Sequence, residues 1–305
     1  MFMTQRILRR LGVATVGLAA AVATHAQPTI PAEFKTGGFA IGAQAYTFKN
    51  FSLFEAIQKA AQTGGKVIEL GTKQGLSQAE PGVIFNHDSP DDVLAKVKAM
   101  LAEHNLKAVN YGVVPIPTDE AGARKIFEFA KKMGMRAITT ESTESIDTIE
   151  KLVKEYDIAV GYHNHARKEK EPNYKVWDPN YLAELFKGRD PRIGAAPDTG
   201  HWCTSNLKPV ESLRILKGRI ISVHLKDKLA FGPSHDVPYG EGVGDIKRCL
   251  DELKAQGFQG NIAIEYEYNW DNNVPDVMKC IDFVRNYGGG QNAVKKPAQG
   301  AKANN

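Results

Sequence analysis

From residue 39 onward, short apolar runs rich in Val, Ile, Ala and aromatic residues alternate with stretches whose apolar residues recur every three or four positions. The short runs are 39–46, 66–70, 107–113, 136–141, 158–165, 192–198, 219–224 and 261–266. They are nearly continuous rather than alternating, as expected of strands buried on both faces. Helix signals fall between them. Ser52 with Glu55 three residues on predicts a capping box, followed by a stripe of Leu53, Phe54, Ile57 and Ala61. Ser89-Pro90 predicts a cap before a proline at the first helical position, ahead of Val93, Leu94, Val97 and Leu101. Further helices are predicted over 119–132, 144–154, 179–186, 209–217, 245–256 and 275–287, the last closed by Gly288.

Eight strands, each followed by a helix, in about 260 residues is the pattern of a (β/α)8 TIM barrel. A doubly wound open sheet is the alternative, because periodicity does not report closure. No phosphate-binding glycine fingerprint follows the first strand, which argues against that alternative. No linker interrupts the body, and no repeat exceeds one strand–helix unit, so residues 27–290 are expected to form one domain.

The two ends read differently. Residues 1–26 carry Arg6, Arg9 and Arg10 without an acid, then the apolar run 11–23, then small residues at Ala23 and Ala26. This is the layout of a secretory signal peptide, and its apolar run falls short of the roughly 20 residues that a spanning helix needs. Export to the periplasm or beyond is therefore expected, without a stable membrane span. Arg9-Arg10 would suit a twin-arginine signal, which Leu11-Gly12 fits poorly, so the route stays open. Residues 291–305 are rich in Lys, Ala, Asn and Gly and are expected to be disordered. The ends also carry the basic charge. Of 39 Lys+Arg against 35 Asp+Glu, three Arg lie before residue 27 and three Lys after 290, leaving a mildly acidic body. That body lacks the basic field that nucleic-acid binding requires. The three cysteines, Cys203, Cys249 and Cys280, have no zinc-finger spacing. Buried free thiols are expected, with a Cys249–Cys280 bridge as the alternative.

The candidate chemistry is concentrated at strand ends. Five of eight His residues, His163, His165, His201, His224 and His235, lie in or just after the fifth to seventh strands. Glu69, Glu141, Asp198 and Glu265 also end strands. In a barrel all those ends face one mouth, so acids and imidazoles from distant parts of the chain converge there, as a divalent cation needs. Each also has a structural reading. Glu69 and Glu141 would serve as solvated strand ends or helix caps, His165 as a partner behind the ligands, and Asn164 as a backbone bonder.

The ordered motifs Ala196-Pro197-Asp198-Thr199-Gly200-His201, Ser222-Val223-His224-Leu225-Lys226-Asp227, Gly240-Glu241-Gly242 and Ile264-Glu265-Tyr266-Glu267, with Val67-Ile68-Glu69-Leu70 earlier, resemble the xylose-isomerase-like barrel superfamily. Its members are mostly sugar phosphate isomerases and epimerases. The resemblance implies that Asp198, His224 and Glu265 bind one divalent ion (Mn2+, Mg2+, Co2+ or Zn2+) and that His201 contacts substrate. It further implies that Lys226 holds a substrate oxygen, and that His235 and Asp236 reach in from beside the Gly240–Gly242 turn. Ketose 3-epimerases of that superfamily carry a metal-binding Glu on the fifth strand. Here the position holds His163, in a Tyr162-His163-Asn164-His165 run that is closer to inosose dehydratase and related keto-sugar enzymes. The fourth ligand is thus His163 or Glu141.

The expected reaction is removal of a proton next to the carbonyl of a sugar or keto-sugar by Glu265, Glu141 or His165, through an enediolate. Reprotonation isomerises or epimerises. Loss of a β-oxygen substituent dehydrates or cleaves a glycoside. An exported enzyme would meet unphosphorylated sugars, such as 3-keto-glycosides. An AP-endonuclease-like nuclease and a non-catalytic sugar-binding protein are the readings from other classes, and homo-oligomerisation stays open. If residues 1–26 act as a signal, mass spectrometry of the exported protein will give a mature N-terminus close to Ala26; a chain retained in the cytosol with residues 1–26 attached would overturn export.

Overall fold

The computed structural model describes residues 29–287. The expected signal at 1–26, the tail at 291–305 and the closing Gly288 lie outside those residues. Eight parallel strands form the barrel: β1 Ala40–Gln44, β2 Val67–Leu70, β3 Lys107–Tyr111, β4 Ala137–Thr140, β5 Ala159–His163, β6 Ile193–Ala196, β7 Val223–His224 and β8 Asn261–Ile264. Their hydrogen-bonded order is β6-β5-β4-β3-β2-β1-β8-β7. Isolated parallel bridges Ala195↔Ile220 and Asp198↔His224 close the ring between β6 and β7. All eight strands lie where the apolar runs predicted them, and closure rules out the open sheet.

The helices are α1 Leu53–Gln62, α2 Asp91–Glu103, α3 Glu120–Lys132, α4 Ile146–Tyr156, α5 Pro179–Leu185, α6 Thr199–Thr204, α7 Pro209–Ile215, α8 Ile246–Ala255 and α9 Val274–Arg285. Among them α6 is an addition to the eight predicted. The Ser52–Glu55 capping box forms in full, and α1 buries Leu53, Ala56, Ile57 and Ala60 against the barrel. Phe54 and Ala61, expected in that stripe, are only half-buried. The second cap differs from expectation. Pro90 itself occupies the N-cap of α2, and the Ser89 hydroxyl accepts from the Asn86 N–H instead, 3.0 Å away. No helix among the described residues is long and apolar enough to cross a membrane.

Two short hairpins on the loops escaped the sequence pattern: Gln74–Ser77 with Glu80–Phe85, and Asp227–Lys228 with Asp236–Val237. Their strands are too short and too polar to carry a period of two. The three cysteines are buried and free. Burial pushes the Cys203 thiol up to about 12, which keeps it protonated and inert.

The main apolar core fills the space between barrel and helices. Inside the barrel a polar group replaces part of the usual aliphatic packing. Pairing of β2 with β3 shifts register between Ile68 and Glu69, so that Glu69 stands opposite Asn110. The Asn110 amide then lies 3.0 Å from Glu69 Oε2, 2.9 Å from Thr139 Oγ1 and 3.1 Å from Ser222 Oγ. Strands β2, β3 and β4 and the residue preceding β7 are thereby joined through one buried side chain. On the outer layer, Ser52→Ala should cost about 1 kcal/mol and lower Tm by roughly 2–4 °C in a thermal melt. An unchanged melt would show that packing alone sets the start of α1.

Candidate metal centre and active site

Residues at the C-terminal ends of β5, β6, β7 and β8 meet at one point. His163 ends β5, Asp198 follows β6, His224 ends β7 and Glu265 follows β8. They are 1%, 0%, 0% and 8% exposed, and their ligand atoms lie within 4.8 Å of one another. His224 Nδ1 is 3.3 Å from Glu265 Oε2 and 3.8 Å from Asp198 Oδ2, and His163 Nε2 is 3.8 Å from the same Asp198 oxygen. Donors at the ~2.0–2.2 Å bond lengths of a small divalent cation stand roughly 3–3.6 Å apart, so slight contraction would bring these atoms to bonding distance.

Each of these three atoms, His163 Nε2, Asp198 Oδ2 and His224 Nδ1, is buried without a hydrogen bond. Leaving such an atom unpartnered costs about 1–3 kcal/mol; the Lys226 ammonium, 3.0 Å from Asp198 Oδ2, offsets that cost for the carboxylate, while the two ring nitrogens have only carboxylate oxygens at 3.3–3.8 Å. The opposite end of every group is firmly held. His163 Nδ1 meets Glu141 Oε1 at 2.8 Å, and His224 Nε2 meets Glu69 Oε1 at 3.0 Å. A carboxylate accepts only from a protonated ring nitrogen, so these contacts place a proton on the outward nitrogen of each ring and turn the other nitrogen to the cluster, where it would serve a cation as a lone-pair donor. Burial opposes charge on His224, but the Glu69 and Glu265 carboxylates prevail and hold it well above the ordinary imidazole range. Asp198 Oδ1 accepts from the His201 N–H at 2.8 Å and caps α6, which turns Oδ2 toward the cluster and the Lys226 ammonium. Asn164 holds the Asp198 backbone on both sides, accepting from its N–H at 3.0 Å and donating to its C=O at 3.2 Å. Two imidazoles and two carboxylates with convergent donor atoms fit a divalent metal.

Of the two residues that the sequence left open for the fourth position, His163 points a free nitrogen inward while Glu141 holds the back of that ring. The same Glu141 oxygen lies 2.6 Å from His165 Nδ1 and 3.3 Å from the Tyr174 hydroxyl. Burial raises the Glu141 carboxyl, but the bonds from His163 and His165 outweigh it and hold the group below its ordinary range. Glu141 is therefore a carboxylate shared between a cluster histidine and a cavity histidine, not a solvated strand end. Glu69 is likewise buried and bonded behind His224.

Through Glu265 the cluster borders a cavity of about 440 Å³ whose lining also includes Tyr46, Lys49, His165, His201 and Glu267. Burial drives His201 down to about 3 despite the nearby Asp198, so the ring is neutral at physiological pH. Lys226 enters from the side. Its ammonium lies 3.0 Å from Asp198 Oδ2, 2.8 Å from Glu265 Oε2 and 2.6 Å from Glu267 Oε2. Burial opposes its charge, but these carboxylates prevail and hold it well above the ordinary lysine range.

A family model of xylose isomerase-like TIM barrels matches residues 57–287. The chain belongs to the xylose isomerase-like TIM barrel family. Over 90 residues it is 34% identical to the L-ribulose-5-phosphate 3-epimerase of Salmonella typhi, a match covering 29% of this chain and 31% of that protein. The chain thus spans under a third of the length of the curated relatives it matches. Among solved structures, an uncharacterized protein of Parabacteroides distasonis is 30% identical with a TM-score of 0.65, over 81% of this chain and 98% of that one. A D-allulose 3-epimerase from Methylomonas sp. shares the fold at 17% identity and a TM-score of 0.62, over 83% of this chain and 99% of that one.

Within this family frame, two expected residues lie elsewhere. His235 stacks on Tyr268, with ring centroids 4.4 Å apart, and does not join the cluster. Asp236 is buried between the Lys228 ammonium at 2.8 Å and the Glu267 N–H at 2.7 Å. The Gly240–Gly242 turn is anchored from below, since the Asp227 carboxylate accepts from the N–H groups of Gly240, Gly242 and Gly244 at 2.9, 3.1 and 2.8 Å. The sequence reading passed over Tyr174 and named Thr199 and Glu267 only within motifs, without a role. Glu267 was within reach, because it lies two residues beyond Glu265 and strand periodicity puts i and i+2 on one face. Tyr174 sits in an irregular loop that carries no period.

The Glu69 contact makes a measurable claim. Glu69→Gln should weaken divalent-cation affinity about 10–100-fold in titration calorimetry, with an unchanged far-UV spectrum. Unaltered affinity would mean that Glu69 only fills the barrel interior.

Proposed function

We propose that this chain is a divalent-metal-dependent isomerase or epimerase-type enzyme that moves a proton beside the carbonyl of a sugar or keto-sugar. The observation that carries this reading is the convergence of His163, Asp198 and His224 with Glu265, which itself lines the cavity. His163, Asp198, His224 and Glu265 would hold the ion. A bound divalent cation supplies Lewis acidity, polarising a carbonyl and acidifying the neighbouring C–H.

The chain's own groups divide the remaining work. Glu265 lines the cavity and serves as the base on one wall. His165 lines it too, half-exposed and aligned by Glu141 at 2.6 Å, and serves as the second proton carrier. His201, held neutral, offers a ring nitrogen to a substrate hydroxyl without adding charge. The similarity to an L-ribulose-5-phosphate 3-epimerase and a D-allulose 3-epimerase supports a small sugar as substrate.

A second reading is elimination, by a keto-sugar dehydratase or lyase. It is favoured by the residue at the end of β5, where a histidine replaces the glutamate expected of ketose epimerases, and by the His165–Glu141 dyad beside it. Such a dyad can deliver a proton to a departing oxygen as readily as to carbon. Export through residues 1–26 is part of the proposal and directs the substrate toward unphosphorylated sugars and 3-keto-glycosides.

The test is incubation of the metal-reconstituted chain in D2O with free ketoses, aldoses and 3-keto-glycosides, followed by NMR. Deuterium uptake next to a carbonyl that disappears with metal removal, and in Asp198→Ala and His224→Ala, is expected. The product separates isomerase from lyase. Stoichiometric metal with no exchange on any sugar would leave a binding protein as the better reading, and turnover in metal-free Asp198→Ala would sink the metal mechanism.

A further inference from the structure

Lys226 is placed with unusual care for a side chain that is not a metal ligand. Thr199 grips its backbone on both sides, accepting from the Lys226 N–H at 2.8 Å and donating to its C=O at 2.9 Å. Gly200 makes room for its stem, because a Cβ there would meet Lys226 Cβ at 2.7 Å and Cδ at 2.8 Å. The middle of the Asp198–His201 motif therefore serves to position one ammonium group. That ammonium reaches the same two oxygens, Asp198 Oδ2 and Glu265 Oε2, that face the cation cluster, and its third carboxylate partner, Glu267, stands outside the cluster.

We infer that Lys226 is a tethered cation that competes with the divalent ion for Asp198 and Glu265, and that Glu267 sets the strength of that competition. The inference rests on the proposed metal site and goes beyond it. Without an ion the ammonium neutralises two buried carboxylates that would otherwise repel each other, and so keeps the cluster assembled. An incoming divalent ion must share or displace those contacts and tolerate a positive charge beside it. The ammonium then shifts its weight toward Glu267, where the cavity begins. The same movement would carry a donor toward the substrate. The consequence is a site that stays preformed when empty and whose metal remains exchangeable.

Two substitutions push in opposite directions. Lys226→Met keeps the length of the stem against Gly200 and removes the charge. It should tighten Mn2+ or Zn2+ binding by about tenfold or more, since a like charge beside the ion is gone. It should also lower the Tm of the metal-free protein while leaving the metal-saturated Tm close to that of the parent. Glu267→Gln removes the outer anchor and should weaken binding, by driving the ammonium further onto Asp198 and Glu265. Both are read by titration calorimetry and thermal melts of stripped and reloaded full-length protein, without reference to turnover.

Equal or weaker binding in Lys226→Met would overturn the competition and leave Lys226 as a support for the ligands. Tighter binding in Glu267→Gln would overturn the role of Glu267. Binding in Lys226→Met but not in the parent would support the inference while refuting the metalloenzyme reading. No binding in either would refute both.

Discussion

The closure of the barrel between β6 and β7 is the contact on which the rest depends. Those strands meet only through isolated bridges among the described residues, and one of the bridges pairs Asp198 with His224. The seam of the fold and the centre of the site are thus the same backbone contact. Pro197 O accepts from the His224 N–H at 2.9 Å, which fixes the separation of the two side chains before either side chain makes a bond of its own. A ring of eight strands brings residues about 155 positions apart, such as Glu69 and His224, to 3.0 Å. No local element could do so.

Burying this much charge is unfavourable unless each group is partnered, and a half-satisfied network is worse than an apolar one. The mouth of this barrel meets that demand by splitting the work of each group between its two ends. Asp198 gives one oxygen to the cap of α6 and keeps the other for the cluster. Each cluster imidazole gives one nitrogen to a carboxylate behind it and keeps the other. The outward bonds make the inward atoms rigid, and rigidity is what gives a preformed ligand set its affinity. Glu141 extends the network sideways, since one of its oxygens serves both His163 in the cluster and His165 in the cavity. Glu141 thus ties a cluster histidine to a histidine of the cavity lining.

The sequence determined a good deal of this by itself. Continuous apolar runs placed all eight strands, because strands covered on both faces cannot carry polar alternation. Those runs, with the helical stripes between them, gave the strand–helix order of a barrel without reporting its closure, and the strand-end acids and imidazoles included, among nine candidates, the four residues that now form the cluster. Tertiary structure decided what each polar atom faces. Glu69 looked like a strand end and is a buried carboxylate behind His224, because a register shift against β3 turns it toward Asn110 and the barrel interior. His235 looked like a cavity residue and stacks on Tyr268, because the loop after β7 folds into its own hairpin. The choice between His163 and Glu141 at the fourth position was likewise a matter of which atom points inward. Periodicity reports which side of an element is buried. The partner met on that side is chosen by strand register and closure, which act between residues far apart in the chain and leave no local pattern to read.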